Sequence, residues 1–287
     1  MPSLVDSYHV PRDADLARFI CKVSAEGARL YRDFGWRRIR DPYAILVSEV
    51  MLQQTQTTRV LRYWEQWLER FPTIDALASA SVADVLRSWQ GLGYNRRALA
   101  LKRAAEIVSE QQGGRLPRDR AALRALPGIG PATASGVMAF AYNEPAPYLE
   151  TNVRAVFLHE LFPEAENVSD REVMALVERC ARMALELGVD ARRWNYALLD
   201  YGVELKRTLP NPSRRSRHHS HQSTFEGSHR QKRSALLQAV MADPGRNTEQ
   251  LAEVCGYPVE LAFEVLEELA AEGFITRGNN EHWQITP

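Results

Sequence analysis

The chain has 287 residues, of which 45% are hydrophobic and 25% charged, a globular composition that excludes disorder as its overall state. Its 36 basic and 36 acidic side chains balance, and no run of 18 apolar residues occurs, so the sequence predicts no membrane-spanning helix. The three cysteines lie too far apart for a disulfide framework or a local CxxC motif, and the first residues show no secretory signal, so we expect a cytoplasmic protein.

Helical spacing of apolar residues dominates the chain up to about residue 205. Short turns with Pro or Gly separate the segments, as is usual between packed helices. The predicted helices cover residues 43–52, 60–71, 83–89, 98–108, 132–141, 153–161, 173–187 and 194–205. Because no run alternates with period two before residue 274, we predict a mainly α fold, with a first domain over residues 1–205.

The segment 48–56, SEVMLQQTQ, places an acid in an apolar stretch. Burial of Glu49 among its apolar neighbours would raise the pKa of its carboxyl group and let it donate a proton near neutral pH. A residue on the helix surface and half of an ion pair are the alternatives. The polar run that follows favours a surface that hydrogen-bonds to bases or sugars; it consists of Gln53, Gln54, Thr55 and Gln56.

A glycine hairpin, LPGIG at 126–130, precedes an apolar helix that starts near Pro131. Two glycines allow a sharp turn and a close backbone approach, and proline suits the first position of a helix. Backbone amides at such a helix start can bind a phosphate oxygen. An ordinary helix connection is the alternative.

The segment 148–154, YLETNVR, carries a carboxylate directly ahead of a predicted helix. Glu150 can be a capping residue at the positive end of the helix dipole. With Glu49 it also forms the carboxylate pair of glycosidic-bond cleavage, in which one acid protonates the leaving group and one anion stabilises the oxocarbenium-like sugar. Both interpretations stay open at this point.

Residues 206–233 have the composition of a basic linker, with eight Lys or Arg and four His against one acid, Glu226. A solvated face is the common explanation of such a charge run. A supplementary phosphate contact is the functional one, and its candidates are Arg214, Arg215 and Arg217.

The last part, residues 234–287, predicts a small winged-helix-like domain. Its three helices cover 234–242, 248–255 and 259–272, and a hairpin about the turn GNNE joins strands at 274–277 and 282–285. The third helix has no Lys or Arg and would be repelled by phosphates, so we predict packing or protein-partner binding rather than groove reading. Its acids are Glu260, Glu264, Glu267, Glu268 and Glu272.

The motifs of residues 25–205 together resemble the helix-hairpin-helix DNA glycosylases of base excision repair, most of all the adenine glycosylases. The likeness rests on DPYAILVSEVMLQQTQ at 41–56, WQGLGY at 89–94, LPGIG at 126–130, NVR at 152–154 and LLDYG at 198–202. It implies a two-lobed helical fold and an enzyme that flips a damaged or mispaired purine out of the duplex. Hydrolysis of the N-glycosidic bond would leave an abasic site.

The resemblance also assigns roles to individual residues. Glu49 would protonate the purine and activate water, while Asn152 orients the water and the acid. Gln53 would fill the gap left by the flipped base, beside Gln54, and Tyr94 would wedge into the opposite strand. A phosphate, with a monovalent cation, would lie at the hairpin and the following helix start, formed by Leu126, Gly128, Ile129, Gly130, Ala132 and Thr133. Ala132 stands where lyase members carry a Schiff-base lysine, so the resemblance implies a monofunctional enzyme.

Three departures from the family pattern bear on the substrate. Glu150 replaces an aspartate and is one methylene longer. The four iron–sulfur cysteines are replaced by Lys206, Ser213, Ser216 and Gln222, so we expect no cluster. The domain that recognises 8-oxoguanine is replaced by the acidic module. Adenine opposite 8-oxoguanine is the first candidate substrate; an alkylated, deaminated or cross-linked base, or a non-catalytic DNA-binding or regulatory role, are the alternatives.

Overall fold

The computed structural model describes residues 11–217, 224–278 and 281–287. Two compact units divide the chain, and each is described by itself. The first unit contains residues up to 45, 118–124 and 130–221, and the second contains 46–117, 125–129 and 222–287. The helices of the described residues are α1 Asp13–Arg29, α2 Gly35–Arg38, α3 Pro42–Leu52, α4 Thr57–Arg70, α5 Ile74–Ala78, α6 Val82–Trp89, α7 Arg96–Gln112, α8 Arg120–Ala125, α9 Pro131–Phe140, α10 Thr151–Leu161, α11 Asp170–Glu186, α12 Ala191–Thr208, a 3₁₀ helix Pro212–Arg215, α13 His229–Ala242, α14 Thr248–Cys255 and α15 Val259–Ala271.

The mainly helical fold is confirmed, and each predicted helix of the first 205 residues is present within a few residues. Pro42 is the first residue of α3, as its missing amide hydrogen permits. Three helices that were not predicted, α2, α5 and α8, have four to six residues and are too short to show a helical period. The prediction also left out α1, although its buried residues Leu16, Phe19, Ile20 and Val23 have helical spacing.

The core of the first unit is formed by α1, α10, α11 and α12. Phe19 packs edge-on against Phe157 and Trp194, with ring centroids 5.1 and 6.2 Å apart. A Cβ at Gly27 would lie 2.2 Å from the Cβ of Ala197, so α1 and α12 approach closely only because residue 27 has no side chain.

A buried ion pair explains the acid of the LLDYG motif in α12. Asp200 is 2% exposed and accepts hydrogen bonds from both terminal nitrogens of Arg37, at 2.6 and 2.9 Å. Arg32 donates to the same carboxylate at 2.6 Å. Since an unpaired buried charge is strongly destabilising, this motif is a structural element of the first unit.

The C-terminal module, whose described residues are 224–278 and 281–287, lies in the second unit together with residues 46–117. The three predicted helices are observed as α13, α14 and α15, with α13 beginning earlier, at His229. Strands β1, Ile275–Arg277, and β2, Trp283–Ile285, pair antiparallel, with Ile275 opposite Ile285. Asn279 and Asn280 of the predicted turn lie outside the described residues, and the domain boundaries stay a prediction.

The predicted linker 206–233 is partly helical in the residues that are described. Its first residues form the end of α12, and Pro212–Arg215 forms a 3₁₀ turn. Residues 229–233 belong to α13. Gln222 and the rest of 218–223 lie outside the described residues.

Candidate active site and nucleic-acid interface

Glu150 caps the start of α10. Its Oε1 accepts hydrogen bonds from the backbone amides of Asn152 and Val153, at 2.6 and 2.8 Å. The side-chain amide of Asn152 donates to Oε2 at 3.1 Å. The carboxylate is therefore fixed at the positive end of the helix dipole, with both oxygens accepting hydrogen bonds.

Opposing effects set the protonation of Glu150. Burial raises the pKa of its carboxyl above the usual value, while the two amide donors and the charges of Lys206 and Arg154 act to lower it. Lys206 lies in the last turn of α12, where desolvation lowers its own pKa and the charge of Glu150 opposes that shift. Lys206, which the resemblance aligns with a cluster cysteine, is thus electrostatically coupled to the candidate catalytic carboxylate.

Asn152 offers an acceptor beside that carboxylate. Its Oδ1 is buried, and none of the described residues donates a hydrogen bond to it. The backbone of Asn152 is held by α12, because a Cβ at Gly202 would lie 2.3 Å from the Asn152 carbonyl oxygen. This close contact between α12 and α10 fixes the backbone position from which the Asn152 side chain extends.

The loop after α12 is bonded to both ends of α10. The hydroxyl of Ser213 donates to the carbonyl oxygen of Thr151 at 2.9 Å. Arg215 donates to the carbonyl oxygens of Leu158 and Pro163, at 2.6 and 2.7 Å, and to that of Phe162. These backbone contacts differ from the phosphate contact predicted for Arg215, because the guanidinium satisfies carbonyls that α10 leaves without helical partners.

Arg214 and Arg217 on the same loop are exposed. The backbone amide of Arg217 donates to the carbonyl oxygen of Val168 at 3.0 Å, and the amide of Val168 donates to the carbonyl oxygen of Arg215 at the same distance. These bonds fix the loop backbone, and the phosphate contact of the three arginines stays a prediction.

In the second unit, α3 carries Glu49 near its C-terminal end. Ser48 and Val50, on either side, are 1% and 3% exposed, whereas Glu49 itself is partly buried. The helix therefore buries most of its surface around a carboxyl group that keeps some exposure. A proton donor needs such exposure, because it must contact the substrate.

Arg97 connects the end of α3 with the loop after α6. One of its terminal nitrogens donates to the carbonyl oxygens of Val50 at 2.9 Å and Gln53 at 2.5 Å. The other donates to the carbonyl oxygens of Leu92 and Gly93, at 3.2 and 2.9 Å. Burial lowers the pKa of Arg97 to about 10, so it stays charged at neutral pH. Sequence reasoning missed this residue.

The two loops that Arg97 joins carry the predicted DNA contacts. Gln53 is partly buried, and Gln54 is exposed with a φ of 55°. Tyr94 has a φ of 51°, also in the left-handed region, and its ring centroid lies 5.4 Å from the Arg97 guanidinium. Non-glycine residues with positive φ are uncommon and cluster at functional sites, where neighbouring contacts hold them in place.

The glycine hairpin requires a glycine at position 128. Gly128 has a φ of 73°, and a Cβ there would lie 2.6 Å from the Cβ of Ala100. Gly130 caps α9, with Pro131 at the first helical position as predicted. Ala132 is exposed and Thr133 is 5% exposed. Leu126 and Ile129 are both 5% exposed, so the apolar side chains of the hairpin are buried.

The structure distributes the predicted site residues over both units. Glu150, Asn152, Ala132 and Thr133 belong to the first unit. Glu49, Gln53, Gln54 and Tyr94 belong to the second. Each unit thus holds part of the predicted set of site residues.

Comparison with known proteins identifies the family of this chain. The model of the HhH-GPD superfamily base excision DNA repair proteins matches residues 47–182. A thymine/uracil-DNA glycosylase from Pyrobaculum aerophilum is 31% identical over 202 residues, which are 67% of this chain and 84% of that protein. The chain belongs to the HhH-GPD superfamily.

Other members of the HhH-GPD superfamily match over shorter or similar spans. An adenine DNA glycosylase from Mycobacterium tuberculosis (strain CDC 1551 / Oshkosh) is 45% identical over 139 residues, 48% of this chain. That alignment spans 46% of the relative, a little under half of its length. The structure of a thermostable thymine-DNA glycosylase superposes with a TM-score of 0.59 at 26% identity, covering 66% of this chain and 87% of that one.

The donor set of this HhH-GPD chain does not fit an iron–sulfur cluster. Such clusters are held by cysteine thiolates, whereas the described residues at the predicted positions are Lys206, Ser213 and Ser216. Ser213 is bonded to Thr151, and Cys180 lies in the core of the first unit, where burial raises its pKa to about 12. The described residues contain no group of three His, Cys, Asp or Glu placed to hold a metal ion.

Among the described residues, no helix has the length and hydrophobicity needed to cross a membrane.

Proposed function

We propose that the protein is a monofunctional DNA glycosylase of base excision repair, which removes a purine and leaves an abasic site. The observation that carries this proposal is the cap of α10, where a partly buried carboxylate and the acceptor Oδ1 of Asn152 lie side by side. An HhH-GPD relative named adenine DNA glycosylase supports adenine, paired with 8-oxoguanine, as the first candidate. We expect it to act in the cytoplasm, at the bacterial nucleoid.

In the proposed reaction Glu49 protonates the purine ring, and the C1′–N bond breaks with its electron pair leaving on the base. The carboxylate of Glu150 stabilises the oxocarbenium-like sugar that forms. Water then adds to C1′, and its proton returns to Glu49. Asn152 accepts a hydrogen bond from this water through Oδ1, and this bond orients a lone pair of the water oxygen toward C1′.

The proposed DNA contacts combine backbone and side chains. The hairpin from Leu126 to Gly130 and the start of α9 hold a phosphate, and hairpin carbonyl oxygens would bind a monovalent cation. Gln53 and Gln54 occupy the gap of the flipped base, and Tyr94 enters the stack from the loop that Arg97 holds.

A second candidate is a glycosylase for another modified base. Two observations favour it: residue 150 is a Glu rather than the aspartate of the family pattern, and the relative covered over 84% of its length is named a thymine/uracil-DNA glycosylase. A non-catalytic role is disfavoured by Glu49, Gln53 and Asn152 being retained together. A protein partner at the exposed acids Glu260 and Glu264 of α15 stays part of the proposal.

A panel of duplexes, each with one mismatch or modified base, tests the function. We expect one duplex to yield abasic sites that break only after alkali, because Ala132 supplies no amine for a Schiff base. The adenine:8-oxoguanine duplex is expected to react first. Covalent trapping by borohydride at the rate of base release would contradict the monofunctional assignment, and release from no duplex would contradict the function.

The purified protein is expected to be colourless and to contain no stoichiometric iron. The thiolates of the family cluster are absent, and hydrogen bonds of Ser213 and Arg215 hold the corresponding loop. Iron analysis and visible absorbance check this. A chelator should leave the melting temperature unchanged; a chelator-induced loss of stability would refute the prediction.

Two exposed arginines and one bonded arginine of the same loop give a matched test of DNA contact. Each phosphate neutralised adds about 0.9 to the slope of log affinity against log salt. Arg214→Ala and Arg217→Ala should each flatten the slope by about 0.9. Arg215→Ala should leave the slope unchanged and lower the free energy of unfolding by about 2 kcal/mol, because backbone carbonyls lose their charged donor.

Salt titrations and thermal melts of the three variants decide between the roles. If Arg215→Ala flattens the slope and leaves the melting temperature unchanged, Arg215 contacts a phosphate and its hydrogen bonds at the end of α10 do not stabilise the fold.

A further inference from the structure

The C-terminal module contacts the loop 91–94, which we call the wedge loop. Arg230, in the first turn of α13, donates a hydrogen bond from its terminal nitrogen to the phenol oxygen of Tyr94. Its guanidinium carbon lies 5.3 Å from the centroid of the Tyr94 ring. Both residues belong to the second unit, so the module reaches a side chain that the proposed function places against DNA.

A salt bridge positions the module for this contact. Arg96, two residues after Tyr94, donates through Nε to the carboxylate of Glu272 at 2.6 Å, in a two-point pair. Arg103, two turns further along α7, donates to the backbone carbonyl oxygen of Glu272 at 2.7 Å. Arg233 of α13 donates to the same carboxylate at 2.8 Å. The end of α15 is thereby attached to the helix that begins beside the wedge loop.

This pairing also accounts for part of the acidic character of α15. Glu268 accepts from Arg233 at 2.8 Å and contacts His229 at 2.7 Å. With Glu272 bonded to α7, the C-terminal acids of α15 are used for packing inside the second unit. The packing interpretation of the sequence therefore holds for these two acids.

The wedge loop itself needs external support. Gly91 has a φ of 98°, and a Cβ there would lie 2.1 Å from the phenol oxygen of Tyr63, while Tyr94 adopts a left-handed backbone at a cost. Arg97, three residues after the loop, donates hydrogen bonds to the carbonyl oxygens of Leu92 and Gly93. Arg230 holds the side chain of Tyr94 itself, through the hydrogen bond to its phenol oxygen.

We propose that Arg230 is a positioning residue for Tyr94, and that the C-terminal module thereby sets how firmly the wedge enters the base stack. A side chain that separates stacked bases acts best when it is held rigidly before binding, since less conformational freedom is then lost in the complex. The guanidinium provides this through one charged hydrogen bond and one cation–π contact. The inference rests on the role of Tyr94 in the proposed function.

Binding measurements that require no base release test the inference. The probes are a duplex with a tetrahydrofuran abasic analogue and an undamaged duplex of the same sequence. The readout is the affinity ratio, which is the affinity for the abasic duplex divided by the affinity for the undamaged one. Arg230→Ala is expected to lower this ratio about tenfold, since a charged hydrogen bond is lost. Arg230→Lys should restore part of it. Lys232→Ala, which removes a charge from the same helical turn, should weaken both affinities alike and keep the ratio.

A double-mutant cycle with Tyr94→Phe assigns the effect to the contact. The phenylalanine keeps the ring and removes the hydroxyl, so Arg230→Ala should cost much less in that background. Fluorescence of 2-aminopurine beside the analogue should fall in Arg230→Ala, because the neighbouring base stays stacked. Thermal melts confirm that each variant is folded.

Three results would overturn the proposal. Equal losses for both duplexes would make Arg230 a general phosphate contact. An undiminished loss in the Tyr94→Phe background would show that Arg230 acts elsewhere. A higher affinity ratio in Arg230→Ala would mean that the bond holds Tyr94 away from DNA. None of these depends on excision, so failure of the duplex panel to release a base is a separate outcome.

Discussion

Glu49→Gln is expected to lower the rate of base release about 10³-fold, within the usual range for loss of a general acid. The amide has nearly the volume of the carboxyl group, so the packing of α3 between Ser48 and Val50 is kept. It cannot deliver a proton to the purine or take one from water. Duplex affinity should change little, because hydrogen bonds to the substrate remain available to the amide.

Single-turnover kinetics and a binding titration on the same duplex separate these two effects. Glu65→Gln is the matched control, because it makes the same change at an exposed position of α4 and should leave both quantities unchanged. If the variant keeps most of its turnover, the proton donor is another group.

The sequence alone predicts the helical frame and the positions of the carboxylates in it. The 3.6-residue period locates long helices such as α11 and α12, since each buries one continuous face. Glu150 precedes an apolar helix in the sequence, and the structure shows it as the cap of α10. The capping and catalytic interpretations are compatible, because a cap fixes a carboxylate in place.

Contacts made by long arginine side chains could not be predicted in this way. Arg97 donates to the carbonyl oxygens of Val50 and Gln53, and Arg215 donates to that of Leu158, all of them more than 40 residues earlier in the chain. Their partners depend on which helix ends meet in three dimensions, and no periodic pattern records that. The same holds for Arg230, whose partner Tyr94 lies 136 residues earlier in the chain.

Glu150→Gln is expected to change activity and stability in opposite directions. Desolvation raises the pKa of the Glu150 carboxyl in the folded protein, so above that pKa the ionised group costs folding free energy relative to the unfolded chain. The amide removes this cost and still accepts from the backbone amides of Asn152 and Val153. Base release should fall, because the developing positive charge on the sugar loses its anion.

The sign of the stability change can be checked against pH. A carboxyl whose pKa is raised by folding binds its proton more tightly in the folded state. Its contribution to stability therefore decreases as the pH rises from the pKa of the unfolded chain to the higher pKa of the folded protein. The variant should therefore melt higher than the wild type at pH 7. The difference should vanish at a pH below the ordinary glutamate value, where both states are protonated.

Two further substitutions at the same position separate capping from charge. Glu150→Asp restores the residue of the family pattern and a preferred N-cap, so it should be active at the wild-type rate or higher. Glu150→Ala removes the cap and should lower the free energy of unfolding by about 1 kcal/mol. If Glu150→Gln instead melts below the wild type at pH 7, the ionised carboxylate stabilises the start of α10. Its attraction to Lys206 and to the two backbone amides would then outweigh its desolvation.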